Sequence, residues 1–159
     1  MRINAFAREI ILYLKNKEYL IVVVTNQPDV KRKKNTRENI EGINNYLKKE
    51  LKIDDVFVSY ADNDYARDRK PNNGMLIDAK IKWNIDFKKS FLVGDRVKDI
   101  IAGVRSGVKT IFLDNGYLEK RPNYSNYTIK SLKEINDKQS SFSKIKKWPS
   151  YFGEEELKI

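Results

Sequence analysis

The sequence contains no cysteine and no histidine in its 159 residues. That excludes thiol and imidazole nucleophiles, Ser-His-Asp triads, thiolate zinc sites and histidine metal ligands. Metal chemistry must then use oxygen ligands, which favours Mg²⁺. Catalysis must rest on carboxylates, lysine, arginine, tyrosine, hydroxyls or backbone amides. Long apolar runs are also lacking. The longest, Leu20 to Val24, falls far short of the roughly 20 residues that span a bilayer. It is short and β-branched, and so predicts a buried strand. No apolar stretch with a small-residue cleavage site stands at the N-terminus, so no secretory signal is expected. The absence of cysteine fits a cytoplasmic protein with no membrane partner.

What the chain does have is charge. It carries 32 lysines and arginines against 22 acidic residues, a net charge of +10. Such a surface could serve nucleic acid or an anionic metabolite. The lysines are scattered rather than gathered on one arm, which favours a compositional origin. Length and a 40% hydrophobic content suit one domain with one core. We expect that domain over residues 1–137, followed by a polar, lysine-rich tail over 138–159 that could dock through Trp148, Tyr151 and Phe152.

The pattern alternates helix and strand. Helical spacing of Phe6, Ile10, Ile11 and Leu14 predicts a helix over 3–14. A continuous apolar strand is expected over 19–25, as in a parallel sheet covered on both faces. Thr36 caps a helix whose apolar face is Ile40, Ile43, Leu47 and Leu51. Strands follow over 55–60, 90–93, 109–113 and 127–129, with helices over 73–82 and 97–106 and a last helix capped by Ser131. This order predicts an α/β fold, an open parallel sheet of the Rossmann-like kind. In such sheets ligands bind beyond the carboxyl ends of the strands.

Three segments lie there. Thr25-Asn26-Gln27 offers a small hydroxyl and amides that can donate to phosphate oxygens. Arg69-Lys70-Pro71 places a lysine in front of a helix N-terminus, where it can neutralise phosphate. Gly94-Asp95-Arg96 lets the chain turn sharply and project a carboxylate that can hold Mg²⁺; Asp99 follows in the first turn of the next helix. Each segment also has a plain structural reading as a turn, a solvated loop or a helix start.

Their order and spacing are more specific than any one of them. Residues 22–27, 69–76, 93–102 and 107–117 resemble the haloacid dehalogenase superfamily. The similar branch holds heptose 1,7-bisphosphate 7-phosphatases and histidinol-phosphate phosphatases, and the similarity runs over about 3–132. The resemblance implies a Mg²⁺-dependent phosphomonoesterase acting on a small phosphorylated metabolite, a sugar phosphate above all. By that similarity Thr25 and Asn26 would hold the transferring phosphoryl group, with Gln27 at the substrate-facing edge. Lys70 would neutralise the nucleophile and the transition state, and Arg69 and Arg96 would reach the substrate. Asp95 would ligate Mg²⁺, supported by Asp99 behind it.

Three departures qualify that implication. The family's first motif, Asp-x-Asp-Gly-Thr on a central first strand, does not occur in these residues. Both catalytic carboxylates are expected to be lacking, with a gap in the hydrogen-bond ladder whose edges invite pairing with another chain. A fragment or misassigned start, a separate complementing polypeptide, and a non-catalytic phosphate-binding remnant would each account for it. Enzyme activity of the chain as it stands is therefore left open. Asp62-Asn63-Asp64 has suitable residue types but reads as a solvated loop. Second, the loop over 61–68 has no Cys or His, so the zinc site common in heptose-bisphosphate members is not expected. Third, Pro28-Asp29-Val30 stands where relatives often have a small, Gly-containing turn, and Asp29 near a phosphate pocket would oppose anion binding. The competing enzymatic reading is a polynucleotide 3′-phosphatase, for which the charge and the run Lys31-Arg32-Lys33-Lys34 speak.

Overall fold

The computed structural model describes residues 6–136. In chain order they form α1 (Ala7–Asn16), β1 (Val22–Asn26), α2 (Arg37–Leu51), β2 (Asp55–Ser59) and α3 (Gly74–Trp83). A single 3-10 turn, Phe87–Lys89, leads to β3 (Phe91–Gly94), α4 (Val97–Ser106), β4 (Lys109–Leu113) and β5 (Tyr127–Ile129). The expected alternation holds, and β4, β5 and α4 have the predicted bounds. The first strand starts later than predicted. Glu18 adopts a left-handed φ of 65°, and the Tyr19 N–H returns to the Leu14 carbonyl at 3.0 Å. Residues 17–19 therefore close α1 instead of opening β1. Thr36 caps α2 as expected, its Oγ1 accepting from the Asn39 N–H at 3.2 Å. Near the end of the described residues the Ser131 hydroxyl accepts from the Lys133 N–H. The tail over 138–159 and its aromatic residues lie outside the described residues.

All strand pairs are parallel. β1 runs beside β2 from Val22↔Asp55 to Asn26↔Ser59. β3 runs beside β4, and β4 beside β5. Among the described residues the ladder divides into two half-sheets, β1-β2 and β3-β4-β5, with no pairing between β1 and β3.

Helices cover both faces and hold the halves together. On one face Ile10 of α1 packs with Ile111, Leu113, Ile129 and Ile135 of the β3-β4-β5 half. The same helix reaches the other half, where Lys15 bonds both Asp54 carboxylate oxygens at 2.6 and 2.8 Å. On the opposite face Leu76, Leu92, Ala102 and Val108 form a second cluster, and Val24 of β1 packs against it. Each fully buried aliphatic side chain contributes about 1.5–3 kcal/mol. The second cluster, through Val24, and the Lys15–Asp54 pair of α1, rather than a continuous ladder, therefore join the half-sheets.

Asp55 anchors the amino end of β2. It is 5% exposed and accepts from Lys82 Nζ at 2.6 Å, Trp83 Nε1 at 2.8 Å and Lys48 Nζ at 3.3 Å. One carboxylate thus ties β2 to the ends of α2 and α3. Burial alone would raise its pKa, but these donors outweigh burial and hold it well below the usual carboxylate range. A depressed folded pKa stabilises the fold above the unfolded value of about 4, and that contribution is lost as pH falls below it. We expect Asp55→Asn to lower stability in urea unfolding by about 1–3 kcal/mol at neutral pH. The difference from the parent should shrink steadily below about pH 4. A difference that stays constant through the acid range would contradict this account.

Candidate active site

β1 and β3 deliver the central residues from opposite sides of the ladder break. Gly94 ends β3 where α4 begins. A Cβ built on it would lie 2.2 Å from the Asp99 Cβ, so only glycine lets the first turn of α4 pass this close. Asp99 then caps its own helix, Oδ2 accepting from the Arg96 N–H at 3.1 Å. Its other oxygen accepts from Lys70 Nζ at 2.6 Å. Lys70 and Asp99 are 8% and 9% exposed. A buried ammonium requires such a partner, because an unpaired charge there would cost several kcal/mol.

Lys70 also reaches β1, donating to the Val24 carbonyl at 2.8 Å. Its backbone is fixed from the same strand. Asn26 Nδ2 donates to the Lys70 carbonyl and Asn26 Oδ1 accepts from the Lys70 N–H, both at 3.0 Å. The paired amide bonds hold the segment at the cis Lys70-Pro71 bond. Beside them Thr25 Oγ1 accepts from Gln27 Nε2 at 3.1 Å, which leaves the threonine hydroxyl proton to donate outward.

Asp95 lies past the end of β3 and is partly exposed. Its described hydrogen bonds both fall on Oδ2, from Asn115 Nδ2 at 3.2 Å and the Tyr117 hydroxyl at 3.1 Å. These residues follow the carboxyl end of β4. Asp95, Asp114, Asn115, Tyr117 and Arg121 line a shallow depression there. Arg96 stacks on the Tyr117 ring at 4.1 Å and pairs with Glu119. On the other side Arg69 is buried, with Nε on Asp64 at 3.1 Å and Nη1 on the Ala61 carbonyl at 2.9 Å. Lys98 Nζ meets both Asp64 oxygens at 2.8 Å. Hydrogen bonds from Lys98 and then Arg69 hold the Asp64 carboxyl below its ordinary pKa.

The structure thus brings Thr25, Asn26, Lys70 and Asp99 together, with Asp95 and Arg96 on the other lip of the break. The described contacts connect Asp99 to Lys70, not to Asp95. Asn26 spends its amide on positioning Lys70. Sequence reasoning passed over Asn115 and Tyr117, although the strand-end rule that selected the other segments also points to residues after β4. It set Asp64 aside as solvated, and no local signal linked it to Arg69 and Lys98.

The sequence pattern of a family described as "Polynucleotide kinase 3 phosphatase" matches residues 4–145. A Campylobacter jejuni D-glycero-alpha-D-manno-heptose-1,7-bisphosphate 7-phosphatase is 30% identical over 80% of this chain and 75% of its own length. A Helicobacter pylori D-glycero-beta-D-manno-heptose-1,7-bisphosphate 7-phosphatase is 28% identical over 81% and 78%. The Photorhabdus laumondii alpha enzyme is 34% identical, but the match spans only 59% of it. Among solved structures, the D,D-heptose 1,7-bisphosphate phosphatase of B. bronchiseptica, complexed with magnesium and phosphate, superposes with a TM-score of 0.73. It is 20% identical, covering 85% of this chain and 82% of that one.

Removing one member of a buried ion pair strands the other. Asp99→Ala should therefore destabilise the protein by about 3–5 kcal/mol. Adding Lys70→Met to it should recover part of that loss, measured as a coupling energy in a double-mutant cycle. Additive losses would show that the pair does not hold the two half-sheets together.

Proposed function

This chain belongs to the haloacid dehalogenase superfamily of phosphatases, and on that premise we propose that its site binds the phosphoryl group of a small phosphorylated metabolite in a Mg²⁺-dependent manner. The heptose-bisphosphate type of its relatives supports a sugar phosphate as the substrate class. The observation that carries the reading is the placement of Lys70 and the Thr25 hydroxyl at the carboxyl end of β1 and of Asp95 just past the carboxyl end of β3.

The donor set suits the ion. Mg²⁺ takes one or two protein carboxylates and completes its shell with water and phosphate oxygens. Asp95 supplies one such carboxylate, steadied on one oxygen by Asn115 and Tyr117. Bound there, the ion supplies neutralisation of phosphoryl charge. The chain's own groups then have distinct tasks. The Lys70 ammonium offsets negative charge, the Thr25 hydroxyl donates to a phosphate oxygen, and Asn26 keeps Lys70 in place. None of Asp95, Asp99, Asp64 and Asp114 stands in an Asp-x-Asp-Gly-Thr context, so none is offered as a nucleophile. The proposal is accordingly binding without efficient turnover by these 159 residues.

The family pattern favours a second reading, an end phosphate on a polynucleotide. Loss of oligonucleotide binding with rising salt would mark it, because each phosphate contact adds to the salt slope. For the leading reading we expect inorganic phosphate and heptose 1,7-bisphosphate to bind in calorimetry only with Mg²⁺ present. Lys70→Met should weaken binding by at least about tenfold, the scale of one charge-assisted hydrogen bond. No phosphate release above background should accompany it. Binding that ignores Mg²⁺, or rapid hydrolysis by the 159 residues, would overturn the proposal.

A further inference from the structure

Asp64 stands between two cations that come from separate parts of the fold. Its loop leaves the carboxyl end of β2. Its Oδ1 accepts from Arg69 Nε at 3.1 Å, ahead of α3. Lys98 Nζ, in the first turn of α4, meets both carboxylate oxygens at 2.8 Å. Lys98 is the neighbour of Asp99, which pairs with Lys70, so this contact lies beside the phosphate-facing lysine.

The carboxylate is placed there by its backbone and not by burial. Asn72 Nδ2 donates to the Asp64 and Ala66 carbonyls at 2.8 and 2.9 Å, which fixes the loop. The Asp64 side chain itself is 56% exposed. An exposed carboxylate shared by two cations adds little stability. Its larger effect is on the local field, where it cancels one of two positive charges. A polynucleotide gains affinity from each cation that is free to replace a counterion on its phosphates. A single phosphoryl group held by Lys70 and the Thr25 hydroxyl needs neither Arg69 nor Lys98.

We propose that Asp64 is a specificity-determining residue: it occupies Arg69 and Lys98, and so turns polynucleotide ends away from a site that still accepts one phosphoryl group. The phosphoryl half of this statement rests on the phosphate-binding reading. The exclusion of nucleic acid rests on the Asp64 contacts alone.

The test follows a fluorescent single-stranded oligonucleotide with a 3′-phosphate by anisotropy over a series of salt concentrations. Asp64→Asn keeps an acceptor for Arg69 but removes the charge. It should bind about tenfold more tightly than the parent at low salt, the scale of the two released pairs together. Its salt slope should be steeper by about 0.7 for each cation freed. Asp64→Glu should stay within about twofold of the parent. Glu50→Gln is the control for net charge. It releases Arg8 in the last turn of α2, away from the carboxyl ends of the strands, and should leave the slope unchanged. Lys98→Gln in the parent should also change little, because Asp64 already neutralises that lysine; this arm needs no Asp64 variant to fold. An Asp64→Asn curve that matches the parent or Glu50→Gln would overturn the proposal. So would a parent that already binds the oligonucleotide tightly, or one that loses most of its binding with Lys98→Gln. Inorganic phosphate titrated in parallel with Mg²⁺ separates the two readings: its failure to bind removes the phosphoryl reading, and the oligonucleotide series still decides the role of Asp64.

Discussion

The Lys70 ammonium ties the two halves of the sheet together at their carboxyl ends. It bonds a carbonyl of β1 and a carboxylate of α4, and α4 is packed on β3 and β4. No β-ladder crosses that distance among the described residues, so a side chain does. Burying an ammonium and a carboxylate is costly unless both are paired and their remaining bonding capacity is used. Here it is used. Asp99 also accepts from the Arg96 N–H, and Lys70 also donates to Val24. The Asn26 clamp fixes the Lys70 backbone, and the absence of a Cβ at Gly94 lets Asp99 approach. Four residues from three separate segments thus define one geometry at the candidate site.

The fold was legible because its cues are periodic. Apolar runs with turn residues between them located five strands and four helices, and the parallel order followed from their alternation. The misplaced start of β1 came from Glu18, whose left-handed backbone has no reliable sequence mark outside glycine and asparagine. Strand ends also select the residues gathered at the candidate site. Their tasks were not legible. Asn26 reads locally as a phosphate donor, and only a contact across 44 residues makes it the clamp of Lys70. The family resemblance makes Asp99 a support for Asp95, while its described contacts are with the buried Lys70 and the Arg96 N–H. Such assignments depend on which charges burial brings together, and a linear pattern does not encode that.

Net charge reads differently once the partners are known. A basic chain suggests a polyanion, but around this site the cations are already matched. Arg69 and Lys98 share Asp64, Arg96 meets Glu119, Arg121 meets Asp114, and Lys31 meets Asp62. A long phosphate backbone would have to break several of these pairs at once, each exposed pair being worth about 0–1 kcal/mol. A single phosphoryl group needs only the threonine hydroxyl, one lysine and the face of Asp95. The surrounding pairs also keep the guanidinium groups of Arg69 and Arg96 apart, on either lip of the ladder break. On the proposed reading a small phosphorylated metabolite leaves these pairs intact, and this favours it over the polynucleotide.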